Sequence, residues 1–208
     1  MSSLIIIGAG GHGNTVHEIA ERSNKFSQID FLDDCIGTNL IERKKMKNKI
    51  IGKIDSLFSK NILSSYESAF VAIGDNKIRG DLINKLMEIG FNIPFLKHES
   101  AVVSESANIC QGVLLAANSV VQSYSKIGVG SIINTSSTID HDSIIGDNVH
   151  VCPGVNIAGE VVIGDNSFIG IGSNVIQQIK IGRDVFISAG TLVKNDIPSF
   201  SKVKSGSL

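Results

Sequence analysis

An aliphatic residue recurs at every sixth position through the second half of this chain, sixteen times without a break. A six-residue period is typical of a hexapeptide β-helix, in which three short strands and their corners form each coil. Three units make one coil of about eighteen residues, so the sequence predicts a β-helical prism of a little over five coils from about Ala101. The repeated residues are Val103, Ile109, Leu115, Val121, Ile127, Ile133, Ile139, Ile145, Val151, Ile157, Ile163, Ile169, Val175, Ile181, Ile187 and Val193.

The positions around each aliphatic residue indicate where the side chains of the coil point. Two positions before it stands a small or β-branched residue, such as Ser119 or Ser131, which predicts a narrow interior filled by side chains. The side chain of the residue just before it is predicted to point outward from a flat face of the prism, as at Ile132, Ile144 and Val162. A flat apolar face needs covering, so we expect three prisms side by side in a homotrimer. Three positions after it stand residues that tolerate a left-handed backbone: Gly112, Asn118, Gly130, Asp142, Asn148, Gly154, Asn166, Gly172, Asp184 and Gly190.

The first part of the chain alternates apolar runs with helical patterns, which predicts a small parallel α/β sheet. The predicted strands are Ser3–Ile7, Ile29–Leu32 and Phe70–Ile73, with a possible short strand at Asn92–Leu96. A helix is predicted from a capping Asn76 to Gly90. Its expected apolar face contains Ile78, Leu82, Leu86 and Ile89. The domains expected are 1–97 for the α/β unit, 98–196 for the β-helix and 197–208 for a C-terminal tail.

A glycine-rich loop follows the first predicted strand, with the pattern Gly8-x-Gly10-x-x-Gly13. Such a loop before a helix lets the backbone approach a phosphate, and the helix N-terminus favours an anion. Asp33 and Asp34 end the second strand, where an acidic residue of a dinucleotide enzyme binds ribose. The alternative is a tight strand–helix turn without a ligand. The substrate-binding residues predicted here are Gly10, Gly11, His12, Gly13, Asp33 and Asp34.

Two histidines of the repeat region are candidates for acid–base chemistry. His141 is predicted at a corner, where an ordinary pKa near 6.5 suits a general base. Asp142 beside it is predicted to orient the imidazole, or else to be a plain corner residue. The side chain of His150 is predicted to point outward from a flat face, half a coil from His141. The two histidines are therefore on different sides of one prism and can meet only across an interface between chains. The alternative for both is a solvated or packed histidine.

Composition and charge exclude several other classes of protein. The net charge is −1, which argues against nucleic acid as the main partner. The basic cluster Arg43–Lys49 is interpreted as a solvated loop or else a phosphate contact. Cys35, Cys110 and Cys152 are odd in number and far apart, which favours buried free thiols in a reducing cytoplasm, and none of them has metal-ligand spacing. The first apolar run is a strand and not a signal peptide, and no stretch is long enough to span a membrane.

Five motifs, spread over residues 1 to about 196, resemble those of one known family. They are Gly-Ala-Gly-Gly-His-Gly at 8–13, Phe-Leu-Asp-Asp at 31–34, Ala-Ile-Gly-Asp-Asn at 72–76, Asn-Thr-Ser-Ser at 134–137 and Ile-Asp-His-Asp at 139–142. As a set they are similar to the bacterial sugar acetyltransferases of the sialic acid O-acetyltransferase and UDP-4-amino-sugar N-acetyltransferase type. The resemblance implies a Rossmann-like domain followed by a left-handed parallel β-helix, assembled as a trimer.

The resemblance also implies roles for particular residues. His141 is the expected general base, and Asp142 stands where the family often has Glu. His150 is expected near the acetyl group from an adjacent chain, and the Gly159 N–H near the thioester carbonyl. The resemblance thus gives the cofactor residues as His150, Gly159, Gly172 and Ala189. The tail at 197–208 lacks the Gly-x-Pro-Ala-Lys loop of many members.

We therefore expect transfer of an acetyl group from acetyl-CoA to the 4-amino group of a nucleotide-linked amino sugar, without a metal, in the cytoplasm, for bacterial surface glycan synthesis. One alternative is O-acetylation of sialic acid or a related sugar. Others are an NAD-dependent oxidoreductase, which rests on the glycine loop, a metal-dependent hexapeptide enzyme, and a non-catalytic scaffold or nucleotide-sugar sensor.

Overall fold

A four-stranded parallel sheet, sheet I, forms the first part of the chain. The computed structural model describes residues 2–35 and 50–204, so the basic cluster at 43–49 lies outside the described residues. Sheet I has the order β3-β2-β1-β4. Its strands are Ser2–Ile7 (β1), Phe26–Leu32 (β2), Ile50–Gly52 (β3) and Ser68–Val71 (β4). The helices are Gly11–Arg22 (α1), Lys60–Ser65 (α2) and Asn76–Glu88 (α3), with a 3₁₀ turn at Ile54–Phe58.

Sheet I is apolar on both faces because helices cover both, as expected of a parallel sheet. On one face, Val16 and Ile19 of α1 pack with Phe31 and Phe70. On the other face, Leu86 of α3 packs with Ile5 and Ile7 of β1. The strand–helix alternation expected from the sequence is therefore confirmed. The short strand expected at Asn92–Leu96 is instead an isolated bridge at Asn92, and the next strand begins at Leu96.

Helix α3 differs from the sequence expectation in its cap and in its buried face. Asp75, and not Asn76, caps the helix, since its carboxylate accepts a hydrogen bond of 2.9 Å from the Ile78 N–H. Ile78 is 52% exposed, whereas Arg79 is 1% exposed. The expected apolar face is thus rotated by about one residue, because α3 packs against two surfaces and not one. The residues it buries are Arg79, Gly80, Leu82, Ile83 and Leu86.

The rest of the described chain is a left-handed β-helix of two-residue strands arranged in three parallel sheets. Sheet II contains Leu96–Lys97 (β5), Leu114–Leu115 (β8), Ile132–Ile133 (β11), His150–Val151 (β14), Phe168–Ile169 (β17), Phe186–Ile187 (β20) and Lys202–Val203 (β22). Sheet III contains Val102–Val103 (β6), Val120–Val121 (β9), Thr138–Ile139 (β12), Asn156–Ile157 (β15), Asn174–Val175 (β18) and Leu192–Val193 (β21). Sheet IV contains Asn108–Ile109 (β7), Lys126–Ile127 (β10), Ile144–Ile145 (β13), Val162–Ile163 (β16) and Lys180–Ile181 (β19).

The six-residue period explains each feature of this prism. All ten corner residues expected to be left-handed have positive φ, for example Asp142 at 57° and Gly172 at 67°. The repeated aliphatic residue is the second residue of every strand from β6 to β21 and points inward. Buried serines cross-link successive coils: Ser131 Oγ donates to Gly146 O at 2.7 Å and accepts from Val149 N at 2.9 Å. The β-helix expectation is confirmed residue by residue.

One outward face of the prism is covered by the N-terminal unit of the same chain. Leu96, Leu114 and Ile132 of sheet II pack into the cluster formed by α1 and sheet I. Ile132 is 2% exposed, so the expectation that a monomer exposes it to water was wrong. Ile144 of sheet IV is 43% exposed, which leaves sheets III and IV as the uncovered faces. None of the helices in residues 2–35 and 50–204 is long and apolar enough to cross a membrane.

Candidate active site

The glycine loop between β1 and α1 uses its glycines in different ways. Gly8 has φ +100°, and its N–H donates to Leu32 O at 2.8 Å, which ties the loop to β2. A Cβ at Gly13 would collide with the Gly8 carbonyl, so helix and strand pack closely only with glycine there. Gly10 and Gly11 have open space where a side chain would stand. The loop is therefore closed on the side of the sheet and open toward a ligand.

The N-terminus of α1 faces the same open space. Gly10 is the N-cap residue and provides no side-chain hydrogen bond, and the first turn contains no acidic residue. The first amides of a helix have no partner inside the helix and carry a partial positive charge. This helix end would stabilise an anionic group such as a pyrophosphate at Gly10–His12.

Asp33 and Asp34, predicted as a pair of ligand-binding acids, have different environments. Asp33 is buried, and its carboxylate accepts hydrogen bonds from Ala9 N at 2.6 Å and Cys35 N at 2.7 Å. Its role is to hold the glycine loop against β2. Asp34 is exposed and accepts one bond of 2.9 Å from Ile54 N. Asp34 is thus the better placed of the two to meet a ribose or a base.

His12 and His150 come from different parts of the chain and interact electrostatically where the glycine loop meets sheet II. Burial, with the nearby Arg79 cation adding to it, lowers the pKa of each imidazole to about 4, so both rings are neutral at pH 7. Asn134 Nδ2 lies 3.1 Å from His150 Nε2, and the Phe168 ring packs edge-on against His150. Within the described residues, His12 Nε2 is buried without a hydrogen-bond partner. A hydrogen bond to the Gly74 backbone acts on His150 and raises its pKa, against the larger effect of burial. The His12 nitrogen is therefore the better candidate to bind a polar ligand.

His141 and Asp142 occupy the corner between sheets III and IV. His141 Nδ1 lies 2.8 Å from Asp142 Oδ2, and both side chains are about half exposed. The hydrogen bond to Asp142 raises the pKa of His141. It also fixes the tautomer with hydrogen on Nδ1, which leaves Nε2 as the proton acceptor. The sequence prediction of a corner histidine oriented by its acidic neighbour agrees with this geometry.

Gly159 lies on the next coil, directly under the His141 ring. A Cβ at Gly159 would stand 2.7 Å from His141 Cε1 and Nε2, so any side chain there would displace the imidazole from this position. Within the described part of the chain, no group accepts a hydrogen bond from the Gly159 N–H. An unpaired amide beside a proton acceptor suits a site where an oxyanion develops.

The structure does not bring all the predicted cofactor residues together within one chain. Gly172 and Ala189 lie at corners between sheets II and III, whereas Gly159 lies at the corner between sheets III and IV. His150 lies on the face of sheet II. These residues contact one acetyl-CoA molecule only if a second chain supplies some of them.

Asn134 is a site residue that sequence reasoning quoted in a motif but did not assign a role. Its partner His150 lies on the next coil, in the strand that pairs with Ile132–Ile133. The hexapeptide period places consecutive coils about eighteen residues apart, so it could have indicated that the two side chains are neighbours. Phe168 follows in the next coil and stacks on Phe186 at 5.2 Å. Among residues 2–35 and 50–204 no group of three or more His, Cys, Asp or Glu side chains is arranged to hold a metal ion.

Two protein families match this chain. Residues 3–86 match the family described as PglD N-terminal domain. Residues 160–195 match the family described as bacterial transferase hexapeptide (six repeats). The first match covers sheet I with the glycine loop, and the second covers coils that follow His141 and Gly159.

Solved structures of two enzymes are similar over nearly the whole chain. The acetyltransferase domain of PglB from Neisseria gonorrhoeae FA1090 is 35% identical with a TM-score of 0.90, over 97% of this chain and 96% of that one. That domain has also been solved in complex with acetyl coenzyme A. A histidine-to-alanine variant of GDP-perosamine N-acetyl transferase from Caulobacter crescentus, in complex with CoA and GDP-perosamine, is 31% identical with a TM-score of 0.88, over 97% of this chain and 93% of that one. On these matches, this chain belongs to the PglD/NeuD-like family of bacterial sugar acetyltransferases.

Proposed function

We propose that this protein transfers an acetyl group from acetyl-CoA to the 4-amino group of a nucleotide-linked amino sugar. The observation that carries the proposal is the pairing of His141 with Asp142 directly above the unpaired amide of Gly159. The glycine loop and Asp34 supply a separate place for a nucleotide sugar. The relatives solved with acetyl coenzyme A, or with CoA and GDP-perosamine, support the same pair of substrates.

In the proposed mechanism the residues of the corner act on an amine that attacks the thioester carbonyl. His141 Nε2 accepts a proton from the attacking nitrogen, and Asp142 stabilises the imidazolium that results. The Gly159 N–H donates to the carbonyl oxygen as negative charge develops on it. No side chain forms a covalent intermediate, because both substrates are held together at one place.

The site is complete only when two chains meet, and we propose a homotrimer for this reason. His141 at the corner between sheets III and IV and His150 on sheet II are on different sides of one prism. Ile144 and Val162 on sheet IV are outward residues that an interface would cover, whereas Ile132 is already covered. Closed symmetric assemblies bury such faces.

We expect sedimentation equilibrium to give a trimer at micromolar concentration. Ile144→Lys should shift the population toward monomer, because it replaces an outward apolar side chain of sheet IV by a charge directly beside Lys126. Thr191→Ser, a buried change away from that face, is the matched control and should leave the trimer intact. A stable wild-type monomer would contradict the proposal.

The N-terminal unit is proposed to bind the nucleotide sugar and not NAD. His12 places an imidazole in a loop that must follow the cofactor closely in a dinucleotide enzyme. Asp34→Ala and His12→Ala should raise KM for the sugar while acetyl-CoA binding stays nearly unchanged. Glu21→Ala, an exposed acid at the far end of α1, is the control. Calorimetry showing tight NAD binding and no response to any UDP-, dTDP- or GDP-sugar would overturn the assignment.

The deciding experiment is acetyl-CoA consumption measured against a panel of nucleotide amino sugars, with free sialic acid and NADH as further arms. Turnover with an amino sugar supports the proposal. Turnover with sialic acid alone would make the enzyme an O-acetyltransferase. We propose the cytoplasm as the place of the reaction, since the described cysteines form no disulfide bond. Cys152 is buried as expected, whereas Cys35 is exposed and Cys110 is half-buried, so the expected burial was wrong for these two.

A further inference from the structure

Arg79 on α3 is a buried cation that the mechanism above does not use. Its guanidinium lies between the N-terminal unit and the β-helix and donates to both. The acceptors in the N-terminal unit are Ile73 O at 3.0 Å, Gly74 O at 3.1 Å and Asn76 Oδ1 at 2.7 Å. The acceptors in the β-helix are Gly130 O at 2.7 Å and Asn148 O at 2.9 Å. Burial lowers the pKa of Arg79 to about 10, so the group stays cationic near neutral pH.

The surrounding packing holds α3 in one register on the β-helix. A Cβ on Gly80 would stand 2.6 Å from Asn148 Nδ2, so the helix approaches that corner only with glycine. One turn earlier, Asn76 Nδ2 donates to Asn166 O at 3.0 Å. Successive turns of α3 therefore meet successive coils, since a helical turn rises about 5.4 Å and strands lie about 4.8 Å apart. Such a match resists sliding of α3 along the prism.

The backbone groups that Arg79 joins lie next to the proposed sugar site. Ile73 and Gly74 follow β4, which pairs with β1 beside the glycine loop. Asn148 stands two residues before His150, at the corner between sheets IV and II. Burial is the larger cause of the low pKa of His150 and His12, and the charge of Arg79 lowers both further. The carboxylate of Asp75, at the N-cap of α3, raises the pKa of Arg79 and so opposes the effect of burial on it. Arg79 thus touches both halves of the site without reaching its open space.

We propose that Arg79 is a positioning residue, which fixes the loop after β4 against the coil of His150 so that the nucleotide sugar meets the β-helix at a set distance. This inference rests on the proposed function, because it assumes that the sugar spans the two units. Misplacement of about 1 Å costs on the order of 10²-fold in rate when groups must be aligned. The guanidinium is suited to the task because its planar donors reach several acceptors in fixed directions.

Steady-state kinetics of Arg79→Met and Arg79→Lys provide the first test. In Arg79→Met, kcat/KM for the nucleotide sugar should fall by about 10²-fold, while KM for acetyl-CoA stays near wild type. Arg79→Lys keeps the charge but loses the fork of donors, so a smaller fall is expected. Lys85→Met removes an exposed cation from the same helix and is the matched control. Wild-type kinetics for the sugar in a folded Arg79→Met would overturn the proposal.

NMR titration of the histidine rings tests the electrostatic effect of Arg79, because Arg79→Lys keeps the charge whereas Arg79→Met removes it. Removal of the Arg79 charge should raise the pKa of His150 and His12 in Arg79→Met, whereas Arg79→Lys should keep both rings neutral at pH 6. Equal titration in the three proteins would contradict the electrostatic part of the inference. If Arg79→Met does not fold, Asn76→Ala, which removes one acceptor of Arg79 and a bond to Asn166, takes its place.

Failure of the proposed function can be distinguished from failure of the inference about Arg79. If the wild-type protein consumes no acetyl-CoA with any amino sugar, the proposed function is overturned. Calorimetric affinity for nucleotide sugars and the ring titrations would still decide whether Arg79 positions a ligand site.

Discussion

His141→Ala is expected to lower kcat by about 10²–10⁴-fold, the contribution typical of a general base, with little change in KM for acetyl-CoA. The imidazole is held by Asp142 at 2.8 Å and packs over Gly159, so its loss removes the proton acceptor without removing a buried group. Initial rates across neutral pH, with each substrate varied in turn while the other is saturating, measure kcat and both KM values. Turnover close to wild type across that range would end the proposed role.

Asp142→Asn is the informative companion to that variant. The Asp142 carboxylate raises the pKa of His141, so its removal should lower that pKa. The neutral base then persists to lower pH, and the acid limb of the kcat/KM profile moves to lower pH. We expect a smaller loss of kcat than in His141→Ala, because the base is still present. An acid limb that does not move would show that Asp142 is a plain corner residue.

The free energy of unfolding is expected to fall as pH falls from about 6.5 toward 4. His12 and His150 have a pKa of about 4 in the folded chain, against 6.5 for an ordinary histidine. The unfolded chain therefore takes up these protons first, and stability present above pH 6.5 is lost through this window. Each histidine contributes up to about 1.4 kcal/mol per pH unit, which is on the order of 3 kcal/mol for each ring over the whole window.

Urea unfolding at fixed protein concentration, at half-unit steps of pH, measures this loss. His150→Asn removes one titrating ring, so its profile should be flatter than that of wild type by about half. Constant concentration matters because assembly also stabilises the folded state. A wild-type stability that is flat between pH 6.5 and 4.5 would show that neither ring is held neutral by burial.

The β-helix was predictable from the sequence because its physical requirements are local. Each unit needs an inward aliphatic residue, a small residue two positions before it and a left-handed corner, and these recur from Val103 to Val193. The glycine loop was predictable for the same reason, since Gly8 and Gly13 meet steric demands within one strand–helix turn. His141 and Asp142 are neighbours in the chain, so their pairing also followed from the corner geometry.

The face that α3 buries was not predictable from α3 alone. Its hydrophobic period favoured Ile78 and Ile89, which are exposed, and did not include Arg79, which is buried. Arg79 is buried because acceptors from two separate units surround its guanidinium, and no local pattern records such acceptors. The split between Asp33 and Asp34 has a similar origin, since only the folded loop places the Ala9 N–H against Asp33.

Short-range sterics and backbone conformation dictate the coil, its corners, the glycine loop and the corner histidine, so these features follow from the sequence alone. Tertiary packing is what covers sheet II with the N-terminal unit, buries Ile132 and brings His150 close to His12 and Arg79. The physical reason is that burial of a flat apolar face depends on which surface docks against it. That docking also sets the charge of both histidines, since desolvation and the field of Arg79 arise only when distant segments meet.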